Sequence, residues 1–117
     1  MHRDDQAILL DMVTAARLIL RFRMGLDLEG FLADIKTQSA VCHQVLILGE
    51  AVKRLSAGFR SAHPEIPWSR IAKMRDKMIH QYEVVDPEEV WKAAEVDVPA
   101  LLAALEPLLS KPPSNQP

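Results

Sequence analysis

The chain has little of what marks several common protein classes. Its 117 residues include one cysteine, Cys42, which excludes an internal disulfide framework and a multi-cysteine zinc site. Aromatic residues make up 5% of the sequence, and strand-like runs bounded by turns are scarce. No apolar run approaches the roughly 18 residues that span a membrane, and the charged start is unlike a signal peptide. We therefore expect a helical protein located in the cytoplasm, without a membrane segment.

The composition that remains is that of one ordinary globular domain. Apolar residues make up 49% of the chain and charged residues 26%, with a net charge of −2. The charge is unevenly spread, because residues 51–80 carry seven basic and two acidic side chains, whereas residues 83–109 carry seven acidic side chains and one lysine. The basic stretch could attract phosphate groups. A solvated helix face explains the same charges and stays open as the alternative.

Apolar spacing predicts four helical segments. The first covers residues 4–24 and ends at Gly25, and Asp27 caps the second segment, which Gly30 weakens early. From about residue 37 to residue 59 this second segment is predicted to be a long helix with a heptad-like seam, formed by Val41, Val45, Leu48, Val52, Leu55 and Phe59. Gly49 inside this helix predicts a close approach of another helix.

Prolines divide the second half of the chain. Pro64 and Pro67 separate the long helix from a third helix that continues through residue 82. Asp86 caps a fourth helix, in which Pro99 predicts a kink and Pro107 a weakened last turn. The result is an all-α, up-and-down bundle over residues 1–109, followed by a tail at 110–117 that we predict to be disordered.

The polar chemistry concentrates in residues 75–82, Arg-Asp-Lys-Met-Ile-His-Gln-Tyr. On a helix Asp76 and His80 share a face, so Asp76 could orient the imidazole as an acid or base. Arg75 could hold a phosphate with two donors, and Tyr82 adds a hydroxyl. These groups suffice for metal-free RNA transesterification if a two-fold dimer supplies a second histidine. An ordinary helix end, with Arg75 in a surface salt bridge, is the structural alternative.

The pattern Arg75-x4-His80-x-Tyr82 resembles the signature of the HEPN superfamily, and specifically of HepT-like toxins. The likeness extends over residues 4–109 in the order and spacing of further motifs. These are Leu48-Gly49-Glu50-Ala51, Phe59, His63-Pro64-Glu65-Ile66-Pro67-Trp68, Ile71, Met74-Arg75-Asp76 and Val90-Trp91. The chain departs from the family at Lys73, where glycine is common, and at Glu83, where an aromatic residue is frequent.

The resemblance implies a dimeric, HEPN-like bundle of four to five helices, with Arg75 and His80 of both subunits in a composite cleft. It further implies a metal-independent endoribonuclease toxin without a cofactor, of a type VII-like toxin–antitoxin pair. The partner would be a minimal nucleotidyltransferase antitoxin of the MntA type, which transfers AMP from ATP to Tyr82 and can form a higher hetero-oligomer. The added phosphate and adenine would then block RNA.

The remaining candidates have supporting or structural roles. Asp76 and Tyr82 would support catalysis, and Lys73 and Lys77 could contact RNA phosphates. Glu50 is predicted to form a salt bridge to Arg75 or another cation across the bundle, rather than to act in catalysis. Cys42, His43 and His63 are predicted to be structural, and no metal site stands out. The alternative function is a nuclease-silent module that binds a nucleotide or partners a nucleotidyltransferase.

Overall fold

The computed structural model describes residues 3–79 and 84–109, and within these ranges the chain is all-α, as predicted. The helices are α1 (Arg3–Arg23), α2 (Leu28–Leu32), α3 (Ile35–Arg54), α4 (Ala57–Ala62), α5 (Trp68–Ala72), α6 (Met74–Met78), α7 (Pro87–Lys92) and α8 (Val98–Leu105). A π-helical segment, Ala93–Asp97, joins α7 to α8, and a 3-10 turn, Glu106–Leu108, follows. The predicted tail at 110–117 lies outside the described residues.

The core is built on the antiparallel pair of α1 and α3. Their apolar stripes face each other and are fully buried at Leu9, Met12, Val13, Ile19, Val41, Val45 and Leu48. Gly25 follows α1 with a φ of +79°, and Asp27 caps α2 by accepting a hydrogen bond from the Gly30 N–H. These two signals for the first turn are confirmed.

The predicted long helix is interrupted before Phe59. The backbone at Leu55 is extended, and the Ser56 side chain caps α4 by accepting a 3.1 Å hydrogen bond from the Phe59 N–H. Asp5 of α1 accepts hydrogen bonds of 2.8 and 2.7 Å from the Ser56 N–H and hydroxyl, and is only 2% exposed. The prediction of a continuous helix from 37 to 59 was therefore wrong, because Asp5 stabilises a turn that the apolar spacing does not reveal.

The third predicted helix is also divided and ends early. Lys73 separates α5 from α6, and the backbone turns extended at Ile79. Ile79 pairs with Val85 in an isolated antiparallel bridge, and the Asp86 N–H donates to the Met78 carbonyl over 2.6 Å. The prediction of a helix through residue 82 was wrong, since the backbone leaves the helical conformation after Met78 and Ile79 pairs with Val85 instead.

The last arm consists of α7, the π-helical segment and α8, and it runs antiparallel to α1. Asp86 caps α7 as predicted, accepting hydrogen bonds from the Glu88 and Glu89 N–H groups. Pro99 has no N–H, and the helix immediately before it is widened to π geometry. Arg23 of α1 donates a 3.2 Å hydrogen bond to the Ala94 carbonyl within this segment. The predicted disturbance at Pro99 is confirmed, and Pro107 lies in the 3-10 turn.

Candidate functional site

The site region is anchored at its beginning by Trp68, the first residue of α5. The indole Nε1 donates hydrogen bonds of 3.1 and 3.0 Å to the carbonyls of Arg60 and His63. The Phe59 ring lies between, with its centroid 6.0 Å from the Trp68 ring and 4.8 Å from the His63 ring. Because α4 and α5 are short, these contacts fix the direction in which α5 leaves the proline turn. His63 thus has the structural surroundings that were predicted for it.

The next anchor is Gly49 on α3, which lies against the carboxyl end of α5. A Cβ atom at Gly49 would stand 3.3 Å from the Ala72 carbonyl oxygen and 3.6 Å from that of Ile71. A Cβ atom this close would force the α5 backbone to shift by a few tenths of an ångström, so the predicted close approach of another helix is confirmed. The approach lies next to the break at Lys73, from which α6 and Arg75 continue.

Arg75 lies on α6, whose buried residues Met74 and Met78 turn toward the core. Its side chain is 40% exposed, and Nη1 lies 3.9 Å from Asp76 Oδ1. Arg75 is also close to Cys42 of α3: burial raises the pKa of the Cys42 thiol, and the positive charge of Arg75 opposes that rise. The positive charge of Arg75 thus acts on a residue of α3, while its partly exposed side chain can reach a ligand in solvent.

His80 and Tyr82 lie among residues 80–83, between the two described ranges, so their predicted roles stay predictions. The described residues on either side are joined by the Ile79–Val85 bridge. Asp76 is 71% exposed, and its helix ends two residues later at Met78. The shared helical face that we predicted for Asp76 and His80 therefore has no continuous helix to support it.

The two lysines beside Arg75 have the exposure that a phosphate contact requires. Lys73 caps the end of α5, Lys77 lies on α6, and both side chains are exposed. Glu50 does not reach across the bundle, since its carboxylate pairs with Lys53 on the same helix at 3.3 Å. The expected bridge from Glu50 to Arg75 or to a cation across the bundle was therefore wrong.

A concave surface beside α6 was not anticipated from the sequence. A groove of about 390 Å³, the α5–α8 groove, separates α5–α6 from α8, and Met74 lines it while Arg75 does not. Its opening depends on alanines of α8, which leave no mark in an apolar pattern. Among the described residues, no group of three or more His, Cys, Asp or Glu side chains is placed to hold a metal ion. None of the described helices combines the length and apolarity needed to cross a membrane.

Comparisons with known proteins cover most of the chain. The family model described as "Ribonuclease HepT-like" matches residues 12–108. A Thermococcus cleftensis protein named "Probable ribonuclease HepT" is 43% identical over 108 residues, covering 92% of this chain and 98% of its own. A Methanocaldococcus jannaschii protein that carries the name RNase is 35% identical over 107 residues and 92% of each chain. No solved structure matches. The chain therefore belongs to the HepT-like ribonuclease family.

Proposed function

We propose that this protein is a metal-independent endoribonuclease in which Arg75 and His80 act on the scissile phosphate. The observation that carries the proposal is the position of Arg75 at the solvent edge of α6, within the family's Arg-x4-His-x-Tyr pattern. A guanidinium with this exposure can donate two parallel hydrogen bonds to a phosphate. The exposed Lys73 and Lys77 would contact neighbouring phosphates of the RNA.

The reaction would be a transesterification within the RNA. The 2′-hydroxyl loses its proton to a general base and attacks the adjacent phosphorus, the bond to O5′ breaks, and a general acid protonates O5′. The products are a 2′,3′-cyclic phosphate and a free 5′-hydroxyl, so atoms and charge balance without an external nucleophile. Arg75 would stabilise the extra negative charge of the pentacoordinate phosphorus.

A homodimer would complete the acid–base pair. One His80 can be base or acid in a given step, and a two-fold axis near α6 would bring a second His80 to the same cleft. The two Arg75 side chains would then also face one substrate. This dimer is part of the proposal and gives it a direct test, since a dimer of one catalytic and one inactive subunit should lose most of its activity.

The biological setting we propose is a cytoplasmic toxin controlled by a minimal nucleotidyltransferase. The Tyr82 hydroxyl would attack the α-phosphorus of ATP, lose its proton and release pyrophosphate, leaving AMP on the ring oxygen. The added negative charge and the adenine would stand beside Arg75 and compete with RNA. Binding of a nucleotide or of the antitoxin without any cleavage is the alternative that experiment must separate.

The experiment compares unmodified wild-type protein with Arg75→Ala and His80→Ala on total RNA in excess chelator. Intact mass would first establish that Tyr82 carries no AMP. We expect wild-type cleavage with cyclic phosphate ends and a loss of more than about 100-fold in each variant, as for a lost acid–base or electrostatic group. Lys53→Ala, an exposed basic side chain on α3, is the matched control and should keep activity. Equal cleavage by all four proteins would reject the assignment.

A further inference from the structure

The α5–α8 groove has the form of a small ligand site beside the proposed centre. Its floor consists of buried apolar side chains, Ile71, Met74 and Leu101, which are at most 7% exposed. Ala100 and Ala104 of α8 face it, and their short side chains keep it open. The volume of about 390 Å³ falls in the range of pockets that hold small organic groups.

One wall of the groove is polar because of the π-helical segment. Arg70 of α5 donates a 3.1 Å hydrogen bond to Asp97, the last residue of that segment. The extra residue of a π turn rotates the preceding chain by about 100° relative to α8, which brings Val96 and Asp97 to the groove. Such π-helical insertions occur frequently at functional sites. Pro99 favours this one, because it has no N–H and cannot donate a hydrogen bond to the preceding turn.

We propose that the α5–α8 groove binds one unpaired base of the RNA substrate, held against its apolar floor and read at its edge by Asp97 and Glu65. The proposal rests on the ribonuclease function proposed above. Apolar and thioether side chains pack well on the faces of a planar base, and carboxylates accept hydrogen bonds from exocyclic amino groups. Adenine, cytosine and guanine carry such groups, whereas uracil does not.

The backbone of the same RNA would connect the groove to the scissile phosphate. Met74 lines the groove, and the flanking residues Lys73 and Arg75 are the proposed phosphate contacts. A strand whose base entered the groove would therefore pass its phosphates along α6. Single-stranded RNA is commonly recognised in this way, with splayed bases in pockets and phosphates on basic side chains.

The charged residues of the groove lie at its partly exposed edge. Three of its ten lining residues are charged, namely Glu65, Arg70 and Asp97. A base meets the same charges at its edge, where they remain partly in water and can discriminate between amino and carbonyl groups.

The test fills the groove without touching the catalytic residues. Ala104→Leu and Ala100→Leu place a larger side chain in the groove, while Ala103→Leu makes the same change at an exposed α8 position outside its lining. We expect KM for oligoribonucleotides to rise about tenfold in the two groove variants, and the preference for adenine, cytosine or guanine over uracil to disappear. Ala103→Leu should match wild type in both. Identical KM and base preference in all four proteins would overturn the proposal.

A second measurement does not depend on cleavage. NMR methyl signals of Ile71 and Met74 would be followed during titration with AMP, CMP, GMP and UMP. Wild type and Ala103→Leu should shift with the first three and weakly with UMP, and Ala104→Leu should not shift. If wild type bound in this way but cut no RNA, the ribonuclease would be rejected and the base site would stand. An RNA-cutting protein without these shifts would overturn the base site.

A further groove variant, Asp97→Asn, tests the base site even if the leucine variants do not fold. Asp97→Asn keeps the size of the side chain and should reduce discrimination against UMP while leaving the groove open. Unchanged discrimination would overturn the role of Asp97 in reading the base. If the groove variants lost only the binding of a partner protein, with RNA cleavage and nucleotide shifts intact, the occupant would be that protein and the proposal would fail.

Discussion

Two regions of the molecule are stabilised by different contacts: the α1–α3 pair, and the segment formed by α5 and α6, here called the α5–α6 edge. α1 has 21 residues and α3 has 20, and both bury continuous apolar stripes against each other. α5 and α6 have five residues each, too few to be helical alone. Their form depends on Trp68 at one end, Gly49 in the middle and the Ile79–Val85 bridge at the other.

The difference separates stability from the geometry of the site. Damage to the α1–α3 pair should lower the free energy of unfolding and leave each folded molecule active. Substitutions that remove a contact of the α5–α6 edge should move Arg75 while most of the core remains intact. Functional segments commonly lie in such less stable parts of a fold, where small movements cost little.

The largest effect on stability is expected in the core. Met12 on α1 is fully buried, so Met12→Ala should lower the free energy of unfolding by about 2–5 kcal/mol, from lost burial and the cavity left behind. Met24→Ala, at a residue 74% exposed, should change it by less than about 0.5 kcal/mol. Urea denaturation would measure both. A loss of RNA cleavage per folded Met12→Ala molecule would contradict the separation drawn here.

The second largest effect on stability is expected at Trp68, which anchors the start of α5. Trp68→Phe keeps an aromatic ring but removes the donor to the Arg60 and His63 carbonyls, which should cost about 1–2 kcal/mol. RNA cleavage should fall as well, because α5 directs α6. Trp91→Phe is the matched control, since Trp91 is also 8% exposed but packs on Phe31, with ring centroids 5.2 Å apart. Equal loss of cleavage in the two variants would show that the anchor has no special role.

These contacts mark the limit of what the sequence could predict. Apolar periodicity and the local signals Gly25, Asp27 and Asp86 sufficed for the helical class and most helix starts, because they act within a few residues. The break at Ser56 depends on Asp5, which is 51 positions away. The end of α6 depends on pairing with Val85, although Met78 and Ile79 continue an apolar helical pattern. The motif singled out Arg75 as a candidate, whereas the groove forms only where the proline turn, α5, α6, the π-helical segment and α8 come together.

A smaller change in stability, with a larger change in activity, is expected at Gly49. Gly49→Ala should gain helix propensity and lose about as much through the 3.3 Å contact with the Ala72 carbonyl, leaving stability within about 1 kcal/mol of wild type. The forced shift of α5 should lower kcat by displacing Arg75.

Gly58→Ala is the matched control for that shift. Gly58 is also helical and has no atom within 4 Å of a Cβ position, so the variant should be slightly more stable and fully active. Thermal melts and steady-state cleavage would be measured on both proteins. Full activity in Gly49→Ala would mean that α6 keeps its position without this close approach.

The smallest effect is expected at Asp34, the cap of α3, far from the edge. Hydrogen bonds from the Thr37 hydroxyl (2.7 Å) and from the Thr37 N–H (3.0 Å) lower the pKa of Asp34 below its usual 3.8. A lowered pKa means that the folded protein binds the proton less well than the unfolded chain. The resulting stabilisation is therefore present above pH 3.8 and is lost as the pH falls through the folded-state pKa.

Asp34→Asn should remove this part of the acid dependence and keep a side-chain cap. Thr37→Val, which deletes the shorter hydrogen bond and keeps the backbone one, should remove part of it. Melting temperatures measured from neutral pH to below pH 3.8 would give the pH dependence of stability for wild type and for each of the two variants. Because α3 also carries Gly49, a change in kcat at neutral pH in either variant would show that the two regions are coupled along this helix. Unchanged kcat would keep the stability of α3 at its start separate from the position of Arg75.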